Sequence, residues 1–484
     1  MTLDYDVVII GGSLAGRYAA LFATQLKAKV ALVESRVDYG LIYAQAMGKI
    51  AYLAQSGNDV AGFGIYIQNA DITPKSPVSV NWTDATLYAD CVLSNIQEQT
   101  SAALLAAEGV DVIFGNGEFA TSAELAFSVN QRLLRGRTYL LASGSHPAIP
   151  KIEGLQTTGY LTLANIWQAF KAPTPPVDWV IIGGLPQSIE IAQILAKLAC
   201  RVTLVVNQPY LISSVDLEIS QLLQAQLEAE GIRIFTETMV TQVRAIDGKK
   251  WVQVGDKAIE VDEILVATAQ QPNLESLNLP AAGVKLHHQR LLINRKLQTT
   301  NHRIYACGDV IGGYDFPHIA EYEARIAIKN ALFLPTSQVN YSHLPWGIFS
   351  QPRLARVGLT QAQAQRRFGH KDILVLRHYY KSVAAAQVEN QILGICKLIV
   401  LRNGKILGAT ILGTAAEELI NLVALAISQK IPVKHLANLS PIYPSFAEIL
   451  EQTAREWNKQ KLFTNIAWQE WLASFFYFRR NWKL

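Results

Sequence analysis

Cysteine is scarce in this chain, and it is missing from one stretch where its absence carries information. Only Cys91, Cys200, Cys307 and Cys396 occur in 484 residues. They lie too far apart for a zinc site, a CxxC pair or the disulfide framework of a small secreted fold. That usage suits a reducing compartment, so a cytoplasmic protein is expected. No cysteine at all lies between Glu34 and Cys91. Long apolar runs are also absent. Nothing approaches the roughly 20 residues that a membrane-spanning helix needs, and no secretory leader is expected ahead of the first strand. Neither sign of charge dominates. The formal net charge is +4, and no basic run offers a phosphate-binding stripe, which argues against nucleic acid as a partner.

What is present suits a large globular chain: 50% hydrophobic residues and 17% charged ones, with length enough for three ordinary domains. Residues 4–34 run strand, Gly-rich turn, helix, strand, ending Val30-Ala31-Leu32-Val33-Glu34. The pattern returns at 178–206, after a stiff linker marked by Pro173, Pro175 and Pro176. Two such units predict an α/β protein with two doubly wound, Rossmann-like nucleotide-binding domains. From about residue 336 the texture changes to α+β. Leu393–Val400 and Lys405–Leu412 predict a hairpin across Arg402-Asn403-Gly404, followed by a helix from Glu417 to Gln429.

The first turn, Gly11-Gly12-Ser13-Leu14-Ala15-Gly16, fits G-x-G-x-x-G with Ser13 in the middle position. Gly11 permits the tight turn, Gly16 lets helix and strand pack closely, and the helix start at Leu14 and Ala15 faces a pyrophosphate. Glu34, with Ser35 beside it, ends the second strand where a carboxylate accepts from ribose hydroxyls. The second turn keeps Gly183 and Gly184 but puts Leu185 where the next glycine belongs. A leucine there crowds an approaching pyrophosphate. Asn207 stands where an NAD-binding acid is usual, and no arginine follows until Arg233. NADH and NADPH both remain open, as does a structural relic of a lost site.

Three further segments complete a set: Ala142-Ser143-Gly144-Ser145-His146-Pro147, Ala267-Thr268-Ala269-Gln270-Gln271-Pro272-Asn273, and Ile304-Tyr305-Ala306-Cys307-Gly308-Asp309. Together with the turns they resemble the pyridine nucleotide-disulfide oxidoreductases, the group of dihydrolipoamide dehydrogenase and mercuric reductase. The resemblance runs to about residue 457. It implies FAD, held by the turn and Glu34, by Ser143 and Gly144, by Gly308 and Asp309, and by His318 and Ile319. It implies NADH or NADPH at Gly183, Gly184, Asn207 and Ala269, and a homodimer. The expected divisions are 1–150 and 276–335 for a two-part FAD domain, 151–275 for the NAD(P)H domain, 336–460 for dimerisation, and a tail at 461–484.

Members of that family carry Cys-x4-Cys soon after the first strand-helix-strand unit. Here the corresponding stretch, Tyr39 to Lys49, has none. A family glutamate that pairs with a lysine beside the flavin corresponds to Glu190, and Lys49 is the candidate partner; a solvated lysine is the alternative. Tyr43 is a candidate replacement for the first cysteine. In Ser440-Pro441-Ile442-Tyr443-Pro444-Ser445-Phe446-Ala447-Glu448, Tyr443 stands where the family has the histidine, supplied by the neighbouring subunit, that serves the dithiol. A tyrosine titrating near about 10 is a poor base at neutral pH. Tyr443 then either bonds an acceptor, lines its pocket or packs in the core, while Glu448 anchors or caps. Losing dithiol and histidine together implies a small acceptor, a quinone being the natural one, rather than a disulfide or mercuric ion. The rivals are a flavoprotein reduced by a protein donor and a non-catalytic flavin module.

The tail is aromatic and basic. From Arg455 onward six Lys/Arg oppose two Glu. This suits either a helix in the interface of a membrane's cytoplasmic face or one packed on the dimer.

Overall fold

A computed structural model describes residues 3–34, 40–59, 80–122, 124–172, 175–313, 316–464 and 466–482. Ser35, Tyr39, Pro173 and Lys483 lie outside the described residues.

The first sheet forms because Tyr5–Ile10 and Val30–Glu34 are nearly continuous apolar runs, the signature of parallel strands covered on both faces. Val7, Val8 and Ile9 are wholly buried, and each such side chain contributes about 1.5–3 kcal/mol. Among the described residues the strand order is Ile304–Ala306, Gly136–Leu141, Tyr5–Ile10, Val30–Glu34, Val110–Phe114, and the neighbours pair parallel. Between the first two strands in sequence, the helix Leu14–Gln25 buries Ala15, Ala19, Ala20 and Ala23, small residues that let it lie close. The edge strand Ile304–Ala306 comes from far down the chain. Its place beside Gly136–Leu141 brings Gly308 and Asp309 to the carboxyl ends of the strands, where open α/β sheets hold ligands.

A second parallel sheet repeats the plan, in the order Arg233–Phe235, Arg201–Val205, Asp178–Ile182, Glu263–Val266, Leu161–Thr162. An antiparallel meander, Val240–Ile246, Lys249–Val254 and Lys257–Val261, is inserted before its strand Glu263–Val266. Both sheets belong to one compact unit, Met1–Asn207 with Glu230–Val339.

The other unit comprises Gln208–Ala229 and Asn340–Leu484. Its antiparallel sheet runs Trp346–Ile348, Leu354–Gly358, Ile406–Leu412, Ile395–Leu401, Ile373–Tyr379. The expected hairpin closes at Gly404, whose φ is +88°, and the expected helix spans Ala416–Ser428. Gln208–Ala229 interrupts the second nucleotide fold in sequence yet groups with this sheet. The reason is ionic. Lys397, 2% exposed, forms ion pairs with Asp216 at 3.0 Å and with Glu218, Arg356 donates to the Ser214 carbonyl, and the Gln361 backbone amide donates to Asp216 at 3.0 Å. Removing one member of such a buried pair costs about 3–5 kcal/mol.

Candidate active site

At the first turn sterics dictate both Gly11 and Gly16. Gly11 has φ +116°, and a Cβ on it would sit 2.2 Å from the Ala142 carbonyl oxygen; one on Gly16 would sit 2.0 Å from the Gly11 oxygen. Ser13 does what a glycine at its position cannot. It caps the helix, accepting from the Gly16 amide at 3.3 Å and donating to the Ala142 carbonyl at 3.0 Å. Leu14 and Ala15 open the helix, where amides lack intrahelical acceptors and suit a phosphate.

Glu34 folds over Gly12, whose Cβ would fall 2.3 Å from the glutamate's Cγ. Its Oε1 is held by Arg17, both side chains being buried, and Arg17 also donates to the Thr100 carbonyl. The other oxygen, Oε2, is buried with no partner among the described residues. A buried carboxylate oxygen lacking a donor is costly. An adenosine ribose at the strand end would supply that donor, so these residues fit FAD. Arg17, a partner the sequence did not flag, sits one residue beyond the motif.

The two crossing segments lock together. Ser145–Pro147 pairs antiparallel with Gln270–Pro272, the Ser143 hydroxyl donates to the Asn273 backbone carbonyl at 2.8 Å, and the Asn273 side-chain amide returns a 2.8 Å bond to the Ser143 carbonyl. Gly144, at φ +70°, turns the chain and accepts from the Asn273 amide at 3.0 Å. Gly308, at φ +74°, lies against Ala15: a Cβ on it would be 3.7 Å from the Ala15 Cβ. The first turn and the last signature therefore meet. Glu323, 2% exposed on the helix Pro317–Leu332, holds the Gly308 amide at 2.7 Å. Asp309 comes within 3.5 Å of the Ser145 hydroxyl. His318 is exposed near the start of that helix. Ile319 offers little to a cofactor, since its side chain is buried and its amide already donates to the Phe316 carbonyl at 3.0 Å.

The second turn has the same skeleton with different side chains. Gly183, at φ +128°, would place a Cβ 2.0 Å from the Ala267 oxygen, and Ser188 donates to the carbonyls of Gly183 and Leu185 at 3.1 and 2.6 Å. Leu185 is the N-cap of Pro186–Lys197 and makes no side-chain cap. Gly184 and Ala269 are exposed, and so is Asn207, beyond a strand that ends at Val205.

Glu190, 4% exposed on that helix, accepts from the Gln45 side-chain amide at 3.0 Å. Gln45, not Lys49, is thus the residue of Gly40–Asp59 that reaches it. Gly48 packs toward Ile194, where a Cβ would meet Cδ1 at 3.4 Å. The two helices therefore advance in the same sense, and their register leaves Lys49 a turn too far along. The Lys49 ammonium is instead exposed, 5.3 Å from the centre of the Tyr52 ring. Tyr43 lies on the same helix as Gln45. It is 6% exposed, donates to the Thr86 carbonyl at 3.4 Å and lies 5.6 Å from the Trp167 ring. Burial, and then the charge of Asp90, push its hydroxyl up to about 12.

In the other unit Tyr443 is 76% exposed rather than packed in the core. Glu448, buried at the start of Glu448–Thr464, accepts from the Ser445 amide at 3.0 Å and so fixes the segment that carries Tyr443. All four cysteines are free. Burial pushes the thiols of Cys200 and Cys396 up to about 12 and that of Cys307 well above its usual range.

The profile of the pyridine nucleotide-disulphide oxidoreductases matches residues 5–324, and that of their dimerisation domain matches residues 344–454. The chain belongs to this family. Mercuric reductase of Staphylococcus aureus is 31% identical over 94% of this chain and 83% of its own length. Dihydrolipoyl dehydrogenase of Synechocystis is 28% identical over 93% of this chain and 98% of its own. The HOCl-induced flavoprotein disulfide reductase RclA of Escherichia coli superposes with a TM-score of 0.80 at 24% identity, covering 93% of this chain and 99% of that one; this last likeness speaks to the fold alone. Members of the family are FAD- and NAD(P)H-dependent oxidoreductases.

Proposed function

We propose that this oxidoreductase is a homodimer that passes electrons from NADH or NADPH to a small quinone-like acceptor, without a redox disulfide. The observation that carries the reading is the cysteine inventory. No cysteine occurs between Glu34 and Cys91, and three of the four thiols are buried with their ionisation suppressed. A thiol that stays protonated is neither a nucleophile nor a metal ligand, which speaks equally against disulfide and mercuric substrates.

FAD, when bound, supplies the hydride acceptor and the two-electron store. The chain's residues do the rest. Glu34 would hold the cofactor's adenosine ribose and the capped helix start its pyrophosphate, Glu323 fixes Gly308 so that Asp309 keeps its aim, and Gln45 gives Glu190 a neutral donor. Tyr443 leaves the acceptor side without a base, which suits an acceptor that takes its protons from water. A lipophilic acceptor also favours work at a membrane's cytoplasmic face, and peripheral contact there belongs to this reading.

Anaerobic stopped-flow mixing with NADH or NADPH should bleach the flavin within seconds, and steady turnover should follow with soluble quinones but not with lipoamide, glutathione disulfide or mercuric ion. Turnover of a disulfide at a rate matching the quinones would overturn the proposal. The leucine-bearing second turn, without a side-chain cap, favours one alternative, a flavoprotein reduced by a protein donor; flavin that neither nucleotide bleaches but a reduced protein donor does would favour it over the proposal.

A further inference from the structure

The helix Ile466–Asn481 buries none of its side chains. Along it and its last turn, Trp468, Trp471, Phe475, Phe478 and Trp482 recur at steps of three and four, which puts them on one face. They stand between 41% and 66% exposed. Neighbours stack along the face: Trp468 on Trp471 at 4.7 Å, Trp471 on Phe475 at 5.4 Å, and Phe478 meets Trp482 edge-on at 5.0 Å. Phe476 and Leu472 widen the apolar arc to about 160° at the helical step of roughly 100° per residue. The one acid of the helix, Glu470, points the opposite way on that wheel. Arg479 falls inside the arc near its carboxyl end, with Arg480 beside it. So large a contiguous apolar face marks an interaction site.

We infer that this helix lies flat in the headgroup region of an anionic lipid surface, which assigns the proposed membrane contact to a particular element and rests on that reading. The aromatic face enters the headgroup boundary, where tryptophan and its relatives are most at home. Arg479 and Arg480 reach the lipid phosphates while their stems stay with the apolar face. Length fits this posture and not a crossing. Sixteen residues span about 24 Å at 1.5 Å per residue, short of the roughly 30 Å hydrocarbon core, and no helix among the described residues is long and apolar enough to cross. A second copy of the helix is the weaker occupant. The stripe covers about two heptads where a coiled coil wants three or four, its arc is broader than a coiled-coil seam, and in a parallel pair Arg479 would face its own copy.

The test uses the full-length holoenzyme and reads binding without turnover, so it fails separately from the quinone proposal. The protein is sedimented with vesicles of phosphatidylcholine alone or mixed with about one-third phosphatidylglycerol. Wild type should pellet with the anionic vesicles. Trp471→Ser/Phe475→Ser should weaken partitioning at least tenfold, and Arg479→Gln/Arg480→Gln should weaken it roughly fivefold per charge, with flavin content unchanged in both. Brominated lipid should quench tryptophan fluorescence in the unaltered protein, a readout that needs no variant. Wild type left in the supernatant, equal pelleting of the serine variant, or no quenching would each overturn the inference. A serine variant of half the wild-type mass, with no vesicle binding by either, would overturn it in favour of a second copy.

Discussion

The two dinucleotide turns share a skeleton and differ in what covers it. Gly11 and Gly183 both have positive φ, each with its missing Cβ about to strike a carbonyl just past the end of a neighbouring strand, Ala142 in one case and Ala267 in the other. Gly16 and Ser188 are both small enough for the helix to lie close. The covering chemistry then parts. The first turn has Ser13 as a bonded cap and, in Glu34, a buried oxygen lacking a donor among the described residues; the second has Leu185 with no side-chain cap and an exposed Asn207. A backbone frame persists because sterics enforce it, whereas recognition depends on side chains that are free to drift. One turn is built for a resident cofactor, and the other at most for a visitor.

The sharpest way to break that comparison is to attack both frames alike. Gly11→Ala and Gly183→Ala each force a methyl into backbone and should each cost at least ~3 kcal/mol, read as a fall in Tm. Only Gly11→Ala should also strip FAD, measured as flavin per chain; flavin lost equally from both would mean that the turns are not distinct. Next in size is Glu34→Gln, which removes the carboxylate charge that pairs with buried Arg17, at a cost of about 3 kcal/mol together with weaker flavin retention. Leu185→Gly should move the second turn toward the first. A better N-cap and an open approach are worth about 1 kcal/mol, seen as a roughly fivefold lower KM for NADH or NADPH with kcat unchanged. The smallest effect concerns Tyr43. Its folded pKa is raised from 10.0 to about 12, so its contribution to stability is whole below pH 10 and is lost as pH rises toward 12. Tyr43→Phe should remove that alkaline loss in a Tm-against-pH series and leave turnover near neutrality untouched.

Much of this was legible in the sequence wherever a steric demand writes itself into one residue type. Gly11, Gly16 and Gly308 announced their turns, Asn403-Gly404 announced its hairpin, and the apolar runs announced parallel strands. Register between helices is not written that way. Gln45 and Lys49 lie one turn apart on the same face, so periodicity cannot choose between them; the contact of Gly48 with Ile194 does. The Arg17–Glu34 pair joins residues whose closeness appears only once strand and helix are folded. Gln208–Ala229 reads as part of the nucleotide fold around it, and only the carboxylates that Lys397 demands assign it to the C-terminal unit. The exposure of Tyr443 is likewise not written in its segment.

The central claim is that electrons leave the flavin without a thiol. Its most direct test is NAD(P)H-driven quinone turnover by holoenzyme exposed to N-ethylmaleimide while held reduced. The rate should stay at that of untreated protein, because no cysteine takes part. A rate abolished by alkylation and protected by prior oxidation would contradict the account and put a redox thiol back into the path.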